Sequence, residues 1–188
     1  GERRTSYGVS ADILVEDGAS SSGIIVECKI RRIPQRVLTS AKPFEECADA
    51  FDDIIKGIVQ IWRTNKEFYS ESSREMVGIV LQYDPWTIMG SAFVGTLFEM
   101  AHKKADKLKI PAKDRIPVAL SGIADFEIFS RRYAYQDIID VVRQYDTKTY
   151  IGWQLSAIAE GLKKAKSETP SFDYRNLVTE AVSWWGER

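Results

Sequence analysis

The chain has 188 residues, 44% of them apolar and 28% charged, which suits one folded domain with its own core and excludes a disordered or collagen-like polymer. Lysine and arginine total 26 against 27 aspartate and glutamate, a formal charge of −1, so no global basic field announces a nucleic-acid binder and any such partner must be held locally. Two cysteines, Cys28 and Cys47, in no metal-ligand spacing, and a single histidine, His102, exclude a disulfide scaffold, a zinc ribbon and a His-based triad.

A reducing, cytoplasmic setting is the expectation. No apolar run approaches the roughly 20 residues of a membrane span, and Gly1-Glu2-Arg3-Arg4 opens no signal peptide. Gly1 in place of methionine suggests a processed, tagged or excised chain, with a longer natural protein as the expectation.

Residues 7–16, YGVSADILVE, alternate apolar side chains with others, and the polar stretch Asp17–Gly23 separates them from IIVECKI at 24–30. That pattern predicts a β-hairpin. Residues 31–43 hold Pro34 and Pro43 without a sustained period and read as a loop. From Phe44 onward Cys47, Ala48, Phe51, Ile54, Ile55, Ile58, Val59 and Trp62 recur at three- and four-residue steps, which predicts a long helix with one apolar stripe.

MVGIVLQY at 76–83 reads as a buried strand stopped by the turn Asp84-Pro85-Trp86. Gly90–Leu108 returns to helix, and Ile116–Phe129 reads as one bent strand or two short ones, with Asp125 and Glu127 at solvent-facing positions. Helices near 133–145, 150–166 and 172–185 close the chain. The order predicts an α/β fold with a mixed central sheet flanked by helices, a single domain over 1–188 with its core at about 7–130 and a helical part at about 131–188.

One constellation carries chemistry. Glu27 and Lys29 interrupt an apolar strand, and the period of two puts both on one sheet face while Val26, Cys28 and Ile30 take the other. Burying such charges is costly unless they are paired or bind an ion. Asp12 lies in the preceding strand, so the hairpin can bring its carboxylate beside Glu27 and Lys29. Hard oxygens from Asp12 and Glu27, with the backbone carbonyl of Cys28, suit Mg²⁺, with Mn²⁺ substituting. Lys29 would orient or help deprotonate an attacking water and offset the charge that develops on phosphorus.

With Ser10-Ala11-Asp12 on one strand and Glu27-Cys28-Lys29 on the next, the chain resembles the PD-(D/E)xK, restriction-endonuclease-like nuclease superfamily over about residues 7–130. The resemblance implies a mixed four-stranded sheet flanked by helices and metal-dependent hydrolysis of phosphodiesters, DNA above RNA, by an endo- or exonuclease. Some members are inactive modules that bind nucleic acid or protein, and that is the rival expectation. Ala11 stands where the family commonly has proline. The family's opening helix, which carries a further glutamate, has no room in the eleven residues before Asp12; the expectation is either that it lies in a part of the natural protein outside this sequence, or that a late helix takes its place through Glu160 or Glu180.

The resemblance also matches Gln60, in IVQIWRTN, to a glutamine on the helix after the triplet, with Thr64 where the family often has tyrosine. At 100° per residue Gln60 points nearly opposite the stripe centred on Phe51, Ile55 and Trp62, which would leave it solvated. A second triplet, Asp146-Thr147-Lys148, has no strand context.

Lys29, Arg31, Arg32, Arg36 and Lys42 form a local basic segment where a nucleic-acid backbone would lie, and Arg31, Arg32, Arg36 and Lys42 are the expected phosphate contacts. The alternative is a solvated loop balanced by Glu45, Glu46, Asp49, Asp52 and Asp53. Lys103, Lys104, Lys107, Lys109, Lys113 and Arg115 read as the polar end of a helix, His102 as surface, and Trp184-Trp185 as core or a partner contact. Cutting both strands of a duplex with one site per chain favours a symmetric homodimer, or further domains of a longer chain.

Overall fold

The computed structural model describes residues 4–5, 8–9, 11–16, 21–30, 40, 42–46, 48–83, 90–147 and 149–162. Two short strands, β1 (Arg4–Thr5) and β2 (Gly8–Val9), pair with each other. The main sheet holds β3 (Ile13–Glu16), β4 (Ser22–Lys29), β5 (Glu75–Gln82) and β6 (Val118–Gly122), in that spatial order. β3 is antiparallel to β4, whereas β4, β5 and β6 are parallel. The fold is α/β with a mixed four-stranded sheet, as the alternation of strand and helix patterns predicted.

The hairpin forms where expected, with Ile13 opposite Val26 and Glu16 opposite Gly23. The predicted single strand over 7–16 does not: the chain bends at residues 11–12 before β3 begins, so Asp12 stands one residue outside the strand. Parallel strands need long crossovers. α1 (Pro43–Glu46) and the 21-residue α2 (Ala48–Phe68) lie between β4 and β5, and α3 (Ser91–Lys107) lies between β5 and β6.

The predicted stripe of α2 is the core-facing one, with Phe51, Ile54, Ile55, Ile58, Val59 and Trp62 all buried. It is also wider than the pattern showed, because Ile61, Thr64 and Asn65 are buried as well. Trp62 Nε1 donates to the Ile116 carbonyl at 2.9 Å, and Asn65 Nδ2 to that of Asp114 at 3.1 Å, which ties the helix to the segment leading into β6. Gly78 of β5 lets this helix come close: a Cβ there would lie 2.5 Å from Ile61 Cγ2. α3 packs on α2, with Phe93 stacked on Phe44 at 4.6 Å and Lys104 bridging to Asp52 at 2.8 Å.

β5 is buried along both faces, which explains its continuous apolar run. The face away from α2 is covered by α5 (Tyr135–Tyr145), whose Ile138, Ile139, Val141, Val142 and Tyr145 are buried. Tyr135 Oη reaches past the strands to the carbonyls of Val15 and Ser22 at 3.2 and 3.3 Å.

Residues 116–129 depart from expectation. The strand ends at Gly122 and α4 (Ile123–Ser130) follows at once. Asp125 is therefore not a solvent-facing strand residue. Its carboxylate accepts the Leu155 N–H at 2.9 Å and Ser156 Oγ at 2.6 Å, at the start of α6 (Leu155–Gly161). Glu127 pairs with Arg131 one turn on. Local strand propensity gives way here to a polar node that joins two helices. The predicted helix over 150–166 is shorter, with residues 149–152 forming a turn in which Gly152 has φ of +83°, and the region 172–185 lies outside the described residues. Among the described residues no helix is long and apolar enough to cross a membrane.

Candidate active site

The site is built on the carboxyl end of β4, where the polar residues of an apolar strand meet α2. Backbone alternation puts Glu27 and Lys29 on the helix-facing side. Gly57 of α2 sits directly over them: a Cβ at Gly57 would lie 3.0 Å from Lys29 Cε, 3.3 Å from Val80 Cγ1 and 3.4 Å from Glu27 Cγ. Glu27 is only 2% exposed. Its Oε1 accepts Lys29 Nζ at 2.5 Å, while its buried Oε2 has no hydrogen-bond partner.

Burial pushes the Glu27 carboxyl up to about 7, and the nearby Asp12 charge adds to this while the Lys29 ammonium and, more weakly, the Asp12 backbone N–H oppose it. The group is thus poised to change charge near neutrality.

Asp12 reaches the same region from the bend before β3, and its Oδ2 accepts the Cys28 N–H at 2.7 Å. The odd residues of β4 turn their backbone groups toward β5, as shown by Tyr83 N–H donating to the Lys29 carbonyl at 3.1 Å. Cys28 consequently directs both its N–H and its C=O toward the β3 side, beside Asp12. Its thiol side is exposed, away from Glu27. The bend is itself held by α2, since Thr64 Oγ1 accepts the Ala11 N–H at 3.1 Å and donates to the Gln60 carbonyl at 3.0 Å.

Asp12, Glu27 and Lys29 are therefore brought together as the sequence predicted. Gln60 is not solvated: it is half-buried and lies between Gly57 and Thr64 on the face of α2 that meets these residues. The wheel misled because the buried arc extends past the apolar stripe to include Gly57 and Thr64, which carry no apolar signal.

Lys42 is exposed and pairs with Glu45 at 3.3 Å. Arg31, Arg32, Arg36, Glu180, Trp184, Trp185 and the turn at 84–86 lie outside the described residues. Glu160 is exposed on α6, with its charge acting on Tyr133 rather than on this cluster. His102 is exposed and stacks on Trp62 at 4.8 Å.

Sequence reasoning missed Gln82, the last residue of β5. It pairs in register with Lys29, shares the helix-facing side with Val80, is 4% exposed, and its buried Oε1 has no partner. The signal was a polar residue closing an apolar strand, legible only once β4 and β5 are aligned.

Among the described residues no three His, Cys, Asp or Glu side chains gather as a ligand cluster. The oxygens that do gather are hard donors around an orphaned buried carboxylate atom, and this donor set fits a small divalent cation such as Mg²⁺ or Mn²⁺. Comparison with protein-family models, curated proteins and solved structures gives no match. The chemistry of the site therefore rests on its own geometry.

Proposed function

We propose that the chain is a metal-dependent nuclease that hydrolyses phosphodiester bonds, DNA above RNA, on a restriction-endonuclease-like core. The observation that carries this reading is the buried Glu27 carboxyl, one oxygen held by Lys29 and the other unpaired, with the Asp12 carboxylate acting on it from the neighbouring segment. The element order supports the core assignment: a hairpin bearing the acidic residues, then a helix, then a strand parallel to the second hairpin strand.

Asp12 and Glu27, with the Cys28 carbonyl, would hold Mg²⁺, which when bound supplies a Lewis acid at the phosphoryl oxygen. The Lys29 ammonium has three donors and gives one to Glu27. The others can hold the attacking water and a non-bridging phosphate oxygen, so Lys29 offsets the negative charge that grows on phosphorus. Its tie to Glu27 keeps it in place beneath Gly57 without substrate.

The test is cleavage of end-labelled single- and double-stranded DNA and RNA in Mg²⁺ or Mn²⁺, beside Lys29→Ala and an EDTA control. Metal-dependent cutting that Lys29→Ala removes supports the proposal. Absence of both cutting and metal binding overturns it in favour of a binding module that retains the nuclease fold.

A further inference from the structure

Two buried side-chain oxygens on adjoining strands lack partners, and only one of them belongs to the hairpin. Glu27 Oε2 is on β4, and Gln82 Oε1 is on β5. The strands are parallel with Lys29 opposite Gln82 and Glu27 opposite Val80, so Gln82 is the diagonal neighbour of Glu27. The contacts that a Cβ at Gly57 would make with Glu27, Lys29 and Val80 establish that these three side chains share the α2 side, and the period of two adds Gln82. Diagonal neighbours on one sheet face lie within reach of long side chains.

A buried acceptor without a donor is rare, and two on adjoining strands of one face call for a common electropositive occupant. The Lys29 ammonium already bonds Glu27 Oε1. A divalent cation accepts both neutral amide and carboxylate oxygens.

We propose that Gln82 Oε1 is a further, neutral oxygen donor of the cation site formed by Asp12 and Glu27, contributed by β5. The proposal rests on the cation-dependent reading above and extends its donor set from the hairpin to a strand on the far side of the crossover. The site then spans the bend before β3, β4 and β5, and loading it joins β5 to the hairpin through the occupant as well as through the ladder.

The test is Mn²⁺ binding by the metal-free chain, followed by loss of the free-ion electron paramagnetic resonance signal, with no substrate present. Gln82→Met keeps the side-chain length but removes the oxygen, and Gln82→Glu keeps the oxygen and adds charge. Circular dichroism and thermal melts in EDTA report whether each variant is folded. The expected result is roughly tenfold weaker Mn²⁺ binding in Gln82→Met, equal or tighter binding in Gln82→Glu, and loss of binding in Asp12→Asn and Glu27→Gln.

Unchanged affinity in Gln82→Met, with binding lost in Asp12→Asn, overturns the role of Gln82 and leaves the carboxylate site standing. Absence of Mn²⁺ binding by the unmodified chain overturns both. Should Gln82→Met fail to fold, Gln82→Glu decides, since weaker binding in that variant contradicts an oxygen facing the cation.

Discussion

The hydroxyl of Thr64 accepts the backbone N–H of Ala11 at 3.1 Å, so α2 grips the residue that precedes Asp12. Thr64 is 6% exposed, and no β-ladder satisfies that amide because the strand begins only at Ile13. Thr64→Val keeps the shape and removes the acceptor that the Ala11 N–H uses. The expected cost is about 1–3 kcal/mol of stability, measured as a lower denaturation midpoint, and Thr64→Ser restores most of it. Weaker Mn²⁺ binding accompanies the loss, because the bend that aims Asp12 is no longer fixed.

Gly57→Ala separates stability from function. Alanine is favoured over glycine in a helix interior by roughly 1 kcal/mol, and the added Cβ meets the far end of a flexible lysine, at 3.0 Å from Lys29 Cε, but also the buried Val80 Cγ1 at 3.3 Å, which offsets part of that gain. Lys29 can yield, so the melting temperature should stay within a few degrees of the parent. Its ammonium is displaced from Glu27 as it yields, and cleavage should fall by tenfold or more at about 1.4 kcal/mol for each factor of ten. An unaltered cleavage rate would show that the Lys29 position is not critical.

The Glu27 carboxyl is pushed up to about 7 in the folded chain from its ordinary value of 4.5, raised by burial and the Asp12 charge against the opposing Lys29 ammonium. Between those values the unfolded chain has released the proton that the folded chain retains. The metal-free protein therefore loses stability as pH rises from about 4.5 to about 7, by a few kcal/mol at most at ~1.4 kcal/mol per unit. Denaturation in EDTA across this range should show that fall, and Glu27→Gln should flatten it. A divalent cation displaces the same proton, so Mn²⁺ affinity should rise with pH over the same window.

Asp125→Ala tests the polar node behind the sheet. The carboxylate accepts from Leu155 N at 2.9 Å and Ser156 Oγ at 2.6 Å, and Ser121 Oγ reaches it at 3.4 Å. Removing it strands several donors together, and a loss of about 2–4 kcal/mol is expected. Hydrogen exchange should accelerate first in α6, where the capped amide lies, while the Asp12 and Glu27 region on the opposite face stays protected.

The strands and helices that bury one periodic face were legible in the sequence: the hairpin through IIVECKI, α2 through its apolar spacing, and β5 through its unbroken apolar run. Asp12, Glu27 and Lys29 were legible because charges within an apolar strand demand an explanation and the period of two says which of them share a face. What escaped notice was positioned by partners distant in sequence. The helix at 123–130 is shaped by Asp125 meeting Leu155, thirty residues away, and no local pattern encodes that. Gln60, Gly57 and Thr64 carry no apolar signal, yet they sit on a buried arc because α2 lies close over the sheet. Gln82 gained meaning only from its register with Lys29.

Five residues separate β3 from β4, whereas forty-five separate β4 from β5. Loop closure favours the hairpin as the earlier structure and leaves the parallel pairing, with α2 between, for later. Asp12 and Glu27 can thus meet while water still surrounds both, and the drying of Glu27 waits for the docking of α2 and β5. The interactions of its charge then fall on the late side of the folding barrier. In kinetic terms, replacing Glu27 should change the rate at which the native chain opens far more than the rate at which it forms.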